Sequence, residues 1–172
     1  SFIRNPATTE VEYMEIISRK TAMLFQAAAH AGAVLAGANE KTEHALRDYG
    51  LHLGIAFQMV DDQLDYLGTP EELGKNIGDD LAEGKVTLPL IVAMRNGQPD
   101  QKAFVEDAIR NGGVENLPEM IQLVKATDAL KYTSEQANTE RCEALACLNN
   151  VADSEFKDSM NTLVNFVVDR HH

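Results

Sequence analysis

Residues 54–65 read G-I-A-F-Q-M-V-D-D-Q-L-D and lay three carboxylates and an amide along one strip of an otherwise apolar helical pattern. Asp61 and Asp65 are four apart, which is one turn and about 6 Å along a helix axis, with Asp62 beside them and Gln58 a turn earlier. At an effective dielectric near 20, two carboxylates about 6 Å apart repel by roughly 3 kcal/mol. A helix that carries this burden beside Ile55, Phe57, Val60 and Leu64 needs compensation. A hard divalent ion supplies it: Mg2+ takes oxygen ligands, keeps several waters, and is shared between one or two carboxylates and a phosphate. The competing reading is a solvated acidic face, and the pattern taken alone does not decide between them.

The flanking residues place this strip in a helical chain. Thr9 and Glu12 form a capping box, and Val11, Met14, Ile17, Ala22 and Phe25 follow at near-helical intervals, so a long helix is expected over residues 10–37. Its second half, with Ala27, Ala28, Ala29, Ala31, Gly32 and Ala33, either lets another helix approach closely or leaves room for something that is not protein. Asn39 caps the helix of the acidic strip, expected over residues 40–67 with Gly68 as its stop and a short helix starting at Thr69-Pro70. Its length and its apolar circumference suit the centre of a bundle.

Residues 73–86 are the least regular, with Gly74, Gly78 and Gly84 interrupting helix and Lys75 and Lys85 standing among acids. Such a loop can offer backbone and ammonium groups to phosphate, although by itself it reads as a linker. Peripheral helices are expected over residues 87–170. The first has Pro89 in its opening turn and Gly97-Gln98-Pro99 as its stop, and others follow over 101–111, 114–126, 129–149 and 154–170. No stretch carries a strand signal, so the expected class is all-α with short connections.

Composition narrows the partners. The 172 residues carry a net charge of -12, which disfavours nucleic acid and anionic membrane. An anionic substrate then needs local basic groups or a bound metal. Cys142 and Cys147 have neither disulfide nor zinc spacing and read as reduced thiols in a cytoplasmic setting. No apolar run reaches the length of an integral membrane segment.

Taken together, Lys20-Thr21-Ala22, then Phe57-Gln58-x-x-Asp61-Asp62-x-x-Asp65, then Gly74-Lys75-Asn76 and Gly78-Asp79-Asp80-Leu81-x-x-Gly84-Lys85-x-Thr87-Leu88-Pro89 resemble the second half of a trans-polyprenyl diphosphate synthase. The similarity is densest from Tyr13 to Met94, looser after Gly97, and greatest toward bacterial long-chain synthases of the octaprenyl type. It implies a helical bundle of the isoprenoid synthase type, with residues 1–172 as the C-terminal portion of one domain. It also implies Mg2+ as cofactor, allylic diphosphate and isopentenyl diphosphate as substrates, a homodimer, and a product of the ubiquinone side-chain class.

Position by position, the resemblance makes Asp61, Asp62 and Asp65 the second metal-binding motif, with Asp61 the first candidate for a direct ligand. Lys20, Gln58 and Lys75 match contacts to the allylic diphosphate, and Lys85 matches a further lysine near it. Thr21 matches a residue near the carbocation. Asp79 and Asp80 match supporting or loop-ordering positions, and Ala27, Ala28, Ala31 and Gly32 match a helix beside the product tunnel.

The family's first aspartate-rich motif and its isopentenyl diphosphate-binding residues lie upstream of this stretch, and nothing in the sequence replaces them. The expectation is half an enzyme, inactive alone, with apolar faces that favour oligomerisation. A non-catalytic partner subunit and a class I terpene cyclase are the alternatives. The intact aspartates argue against the first, and the missing Asn/Ser/Glu triad against the second.

Overall fold

The computed structural model describes residues 3–67 and 78–170, and among these every regular element is helical. One isolated antiparallel bridge joins Ile3 and Lys85. The order is α1 (Glu10–Ile17), a π-helical turn (Ser18–Ala22), α2 (Met23–Leu35), α3 (Glu40–Leu67), α4 (Asp79–Glu83), α5 (Leu88–Asn96), α6 (Pro99–Asn111), α7 (Leu117–Ala126), α8 (Ala129–Cys147) and α9 (Glu155–Asp169). Short 3-10 turns occur at Val114–Asn116 and Leu148–Asn150. Among the described residues, no helix is long and apolar enough to cross a membrane.

The all-α expectation holds, and the capping signals act as read. Thr9 N donates to Glu12 Oε2 at 2.8 Å and Glu12 N to Thr9 Oγ1 at 3.2 Å, while Thr42 N donates to Asn39 Oδ1 at 3.0 Å. Some expected bounds need correction. The long helix expected over residues 10–37 runs from Glu10 to Leu35 with a π turn inside it, and the loop over residues 73–86 contains α4. The short helix expected after Gly68 lies outside the described residues, as does Lys75.

The chain divides into two compact units, one formed by Ser1–Tyr13 and Asp61–Ser134, the other by Met14–Val60 and Glu135–His172. In the first, α5 is the core element: every residue from Leu88 to Met94 is buried, with α6 and α7 packed on it. Pro89 fits the opening turn because a helix has no acceptor for that N–H. The next helix starts two residues earlier than its pattern suggested, because Gln98 and Gln101 cap one another reciprocally, Gln98 N donating to Gln101 Oε1 at 2.8 Å. Arg4 pins the incoming chain: its N donates to Gly84 O at 2.8 Å, and its Nη1 to Arg110 O at 2.9 Å at the negative end of α6. Gly84 is in the left-handed region at φ 73°, and a β-carbon there would run into Arg4 Cγ.

In the second unit, Tyr49 and Leu53 of α3 pack with Ala144, Leu148, Val164 and Val167, each buried aliphatic side chain contributing roughly 1.5–3 kcal/mol. Helix α2 and the π turn before it cross α3 at two glycines. A Cβ on Gly50 would lie 2.5 Å from Phe25 O, and one on Gly54 would lie 2.5 Å from Ala22 Cα. The exposed side of α2 carries Met23, Leu24, Val34 and Leu35 together with Ala27, Ala28, Ala31 and Gly32. Leu24 is 73% exposed and Leu35 88%, an apolar face of the kind that marks an interaction surface.

Candidate functional site

In the first unit the acidic strip is not a solvated face. Asp62 and Asp65 have no solvent exposure, and Asp61 is half-buried. Burying a carboxylate is costly unless donors meet it. Asp62 meets two: Tyr13 Oη donates to Oδ2 at 2.8 Å, and Lys85 Nζ donates to Oδ1 at 2.7 Å. The same ammonium donates to Asp80 Oδ2 at 2.9 Å, joining the turn α4 to α3.

The electrostatics follow from this chain of contacts. Burial disfavours the charged form of Lys85, but Asp62 and Asp80 outweigh it and hold the ammonium above its ordinary range. Burial pushes the Asp62 carboxyl up, against the downward pull of Lys85. Burial first, and then the charge of Asp62, push the Tyr13 phenol well above its ordinary value, so it remains a donor.

In the second unit the π turn holds Lys20 and Thr21. Lys20 is exposed, and Thr21 Oγ1 donates to Gln58 Oε1 at 2.8 Å. A π turn inside an α-helix widens the backbone and is frequent at functional sites. The structure therefore joins Thr21 to Gln58, and Lys85 to Asp62, among the residues the sequence singled out.

It does not make one ligand set of the three aspartates. Both oxygens of Asp62 already accept charge-assisted or phenolic hydrogen bonds, and among the described residues no three acidic, imidazole or thiol side chains come together as a metal cage. A Mg2+ ion that takes the half-buried Asp61, water and phosphate oxygens fits this arrangement, since this ion commonly binds through one or two carboxylates.

Sequence reasoning missed Tyr13. It sits on the apolar stripe of α1 and reads as core, which at 1% exposure it is. The signal lay in its chemistry, because a buried tyrosine hydroxyl needs a partner. The paired Gly50 and Gly54 were also legible in principle, as two glycines one turn apart in a long helix.

An all-helical chain whose long helix α3 carries paired aspartates, one of them tied to Lys85, has the makings of an isoprenoid synthase half. The chain belongs to the polyprenyl synthetase family, whose model matches residues 2–126. It is 43% identical over 171 residues to octaprenyl diphosphate synthase of Haemophilus influenzae, covering 99% of this chain and 52% of that protein. It is 41% identical over 169 residues to octaprenyl diphosphate synthase of Escherichia coli, covering 98% and 52%. Among solved structures it is similar to polyprenyl synthase from Caulobacter crescentus, complexed with calcium and isoprenyl diphosphate. There the TM-score is 0.93 at 40% identity, covering 99% of this chain and 53% of that one. The chain thus spans about half the length of the curated relatives it matches.

Proposed function

We propose that this chain is the C-terminal half of a trans-polyprenyl diphosphate synthase, which joins isopentenyl diphosphate to an allylic diphosphate and builds a long-chain product of the octaprenyl class. The single observation that carries the reading is the burial of Asp62 and Asp65 beside Asp61 on α3. A bundle gains no stability from concentrating carboxylates in this way, whereas a site for metal and diphosphate requires it.

In this reading Asp61 is the direct Mg2+ ligand, and Asp62 and Asp65 support it from the buried side. Bound Mg2+ supplies positive charge to the diphosphate as the allylic C–O bond ionises. The ammonium groups of Lys20 and Lys75 hold the diphosphate oxygens. Lys85, tied to Asp62 and Asp80, acts on the leaving group through its charge. Thr21 holds the carbonyl end of the Gln58 amide, so a phosphate contact by Gln58 is made through Nε2. Thr21 also stands near the carbocation formed on ionisation.

The rest of the active site, with the first aspartate-rich motif and the isopentenyl diphosphate contacts, comes from an upstream half. The enzyme works as a cytoplasmic homodimer. The exposed apolar face of α2, and Phe156 and Phe166 on α9 at 73% and 65% exposure, support a chain that functions against further polypeptide. The test is incorporation of radiolabelled isopentenyl diphosphate. The full-length protein should be active, residues 1–172 alone should give background counts, and Asp61→Ala should abolish turnover with helicity intact. Full turnover in Asp61→Ala would remove the aspartate strip from the site.

A further inference from the structure

In the first unit a cavity of about 620 Å3 opens between α5, α6 and the chain that leads into α1, within the range of about 300–1,000 Å3 usual for small-molecule sites. Ile91 and Met94 of α5 give it an apolar floor. The charged side chains of its wall are Arg4, Arg95, Lys102 and Arg110, with Glu106 the one acid among the described residues that line it. The whole chain holds 27 acidic and 15 basic residues, so four cations around one acid reverse its balance. Lys102, Glu106 and Arg110 follow at intervals of four on one face of α6, and the single carboxylate serves both neighbours. Arg110 Nη2 donates to Glu106 Oε2 at 3.1 Å, and Lys102 Nζ lies 3.9 Å from Oε1. Lys102 and Arg110 still keep more than half of their side-chain surface exposed. Arg95 is fixed by groups that do not line the cavity, donating to Glu10 Oε2 at 2.9 Å and stacking 4.5 Å over the Tyr132 ring. Arg4 reaches the wall from a left-handed backbone, φ 59°, which a residue with a β-carbon seldom adopts. Its Nη1 donates to Arg110 O at 2.9 Å, so two of the arginines are tied together at the end of α6.

Like charges gathered at one cavity repel each other, so packing alone does not favour the arrangement, and a bound anion relieves it. We infer that this cavity is a binding site for a phosphate-class anion, a diphosphate group above all. Guanidinium forks match phosphate oxygens two N–H groups at a time. Three arginines and a lysine supply donors for two phosphoryl groups, and the volume leaves room for an organic substituent over Ile91 and Met94. No residue of the aspartate strip lines the cavity, and binding through fixed cations needs no metal ion. The site therefore stands independently of the function proposed above.

The test is equilibrium dialysis of radiolabelled pyrophosphate against the full-length protein in EDTA, which removes binding that runs through Mg2+. Wild type should show a class of metal-free sites that Lys102→Ala combined with Arg110→Ala weakens about tenfold or more. Isopentenyl diphosphate incorporation in Mg2+ should stay at the wild-type level in that variant, as the sign that its fold is intact. Glu106→Gln removes the acid and keeps the shape, so it should tighten the same class several-fold. Displacement of the label by less isopentenyl diphosphate than unlabelled pyrophosphate assigns the site to an organic diphosphate, and the reverse order assigns it to the free anion. Identical binding by wild type and the double variant, or no metal-free binding at all, overturns the inference. Weaker binding in Glu106→Gln overturns it as well, because the carboxylate rather than an anion would then be what gathers the cations.

Discussion

Gly50 of α3 lies against the carbonyl oxygen of Phe25 in α2, so close that an added Cβ would stand 2.5 Å from it. The contact is with backbone, which cannot rotate away as a side chain can. Gly50→Ala and Gly54→Ala should each destabilise the protein by about 1–3 kcal/mol. That is the reverse of the gain of roughly 0.5–1 kcal/mol expected for glycine to alanine in an open helix. Urea unfolding measures the sign; a stabilised Gly50→Ala would mean that α2 and α3 do not cross there.

Lys85 stands between two carboxylates, one of them fully buried. Lys85→Ala leaves Asp62 without its strongest donor and should cost about 3–5 kcal/mol, whereas Lys85→Ala with Asp62→Asn should recover part of the loss. Denaturant midpoints of the three proteins decide this. Equal midpoints for Lys85→Ala and wild type would show that the pair carries no stability.

His52 Nδ1 and Glu140 Oε2 lie 2.7 Å apart, linking α3 to α8 within their unit. The hydrogen bond that the imidazole donates to Glu140 raises its pKa, partial burial opposes it, and the charges of Glu140, Glu143 and Asp48 add to the rise. A folded value above the unfolded one means the protonated pair stabilises the native state. That contribution is complete below the ordinary imidazole value, near 6.5, and is lost as pH rises through the folded value. Melting temperatures between about pH 6 and 8 should therefore fall more in wild type than in Glu140→Gln. Parallel curves would contradict the linkage.

Ala28 lies in the small-residue tract on the exposed side of α2. If that tract borders the growing chain in the full-length enzyme, Ala28→Phe fills volume that prenyl units would occupy. Product analysis by thin-layer chromatography should then show shorter chains at comparable turnover. An unchanged product length places the tract at a protein interface instead.

Much of the helical order was legible, and for local reasons. The Thr9/Glu12 box, Asn39 and Pro89 act on their own neighbours, so their meaning survives without tertiary information. The π turn at Ser18–Ala22 was not legible, because S-R-K-T-A has the propensities of ordinary helix and the extra residue per turn is a property of packing. Nor was α4, since glycines at both ends and acids within suit a loop as well as a capped turn.

The sequence alone determined that the chain is all-helical and that its aspartates share a strip with Gln58 on one long helix, because helical periodicity and capping are read within a few residues. Only the tertiary structure decided what each carboxylate does. Asp61 and Asp62 are neighbours of identical chemistry, yet Asp61 stays half-buried while Asp62 is sealed between a phenol 49 positions earlier and an ammonium 23 positions later. Burial and partner choice at that range depend on which helices pack together, and no pattern along α3 carries that information.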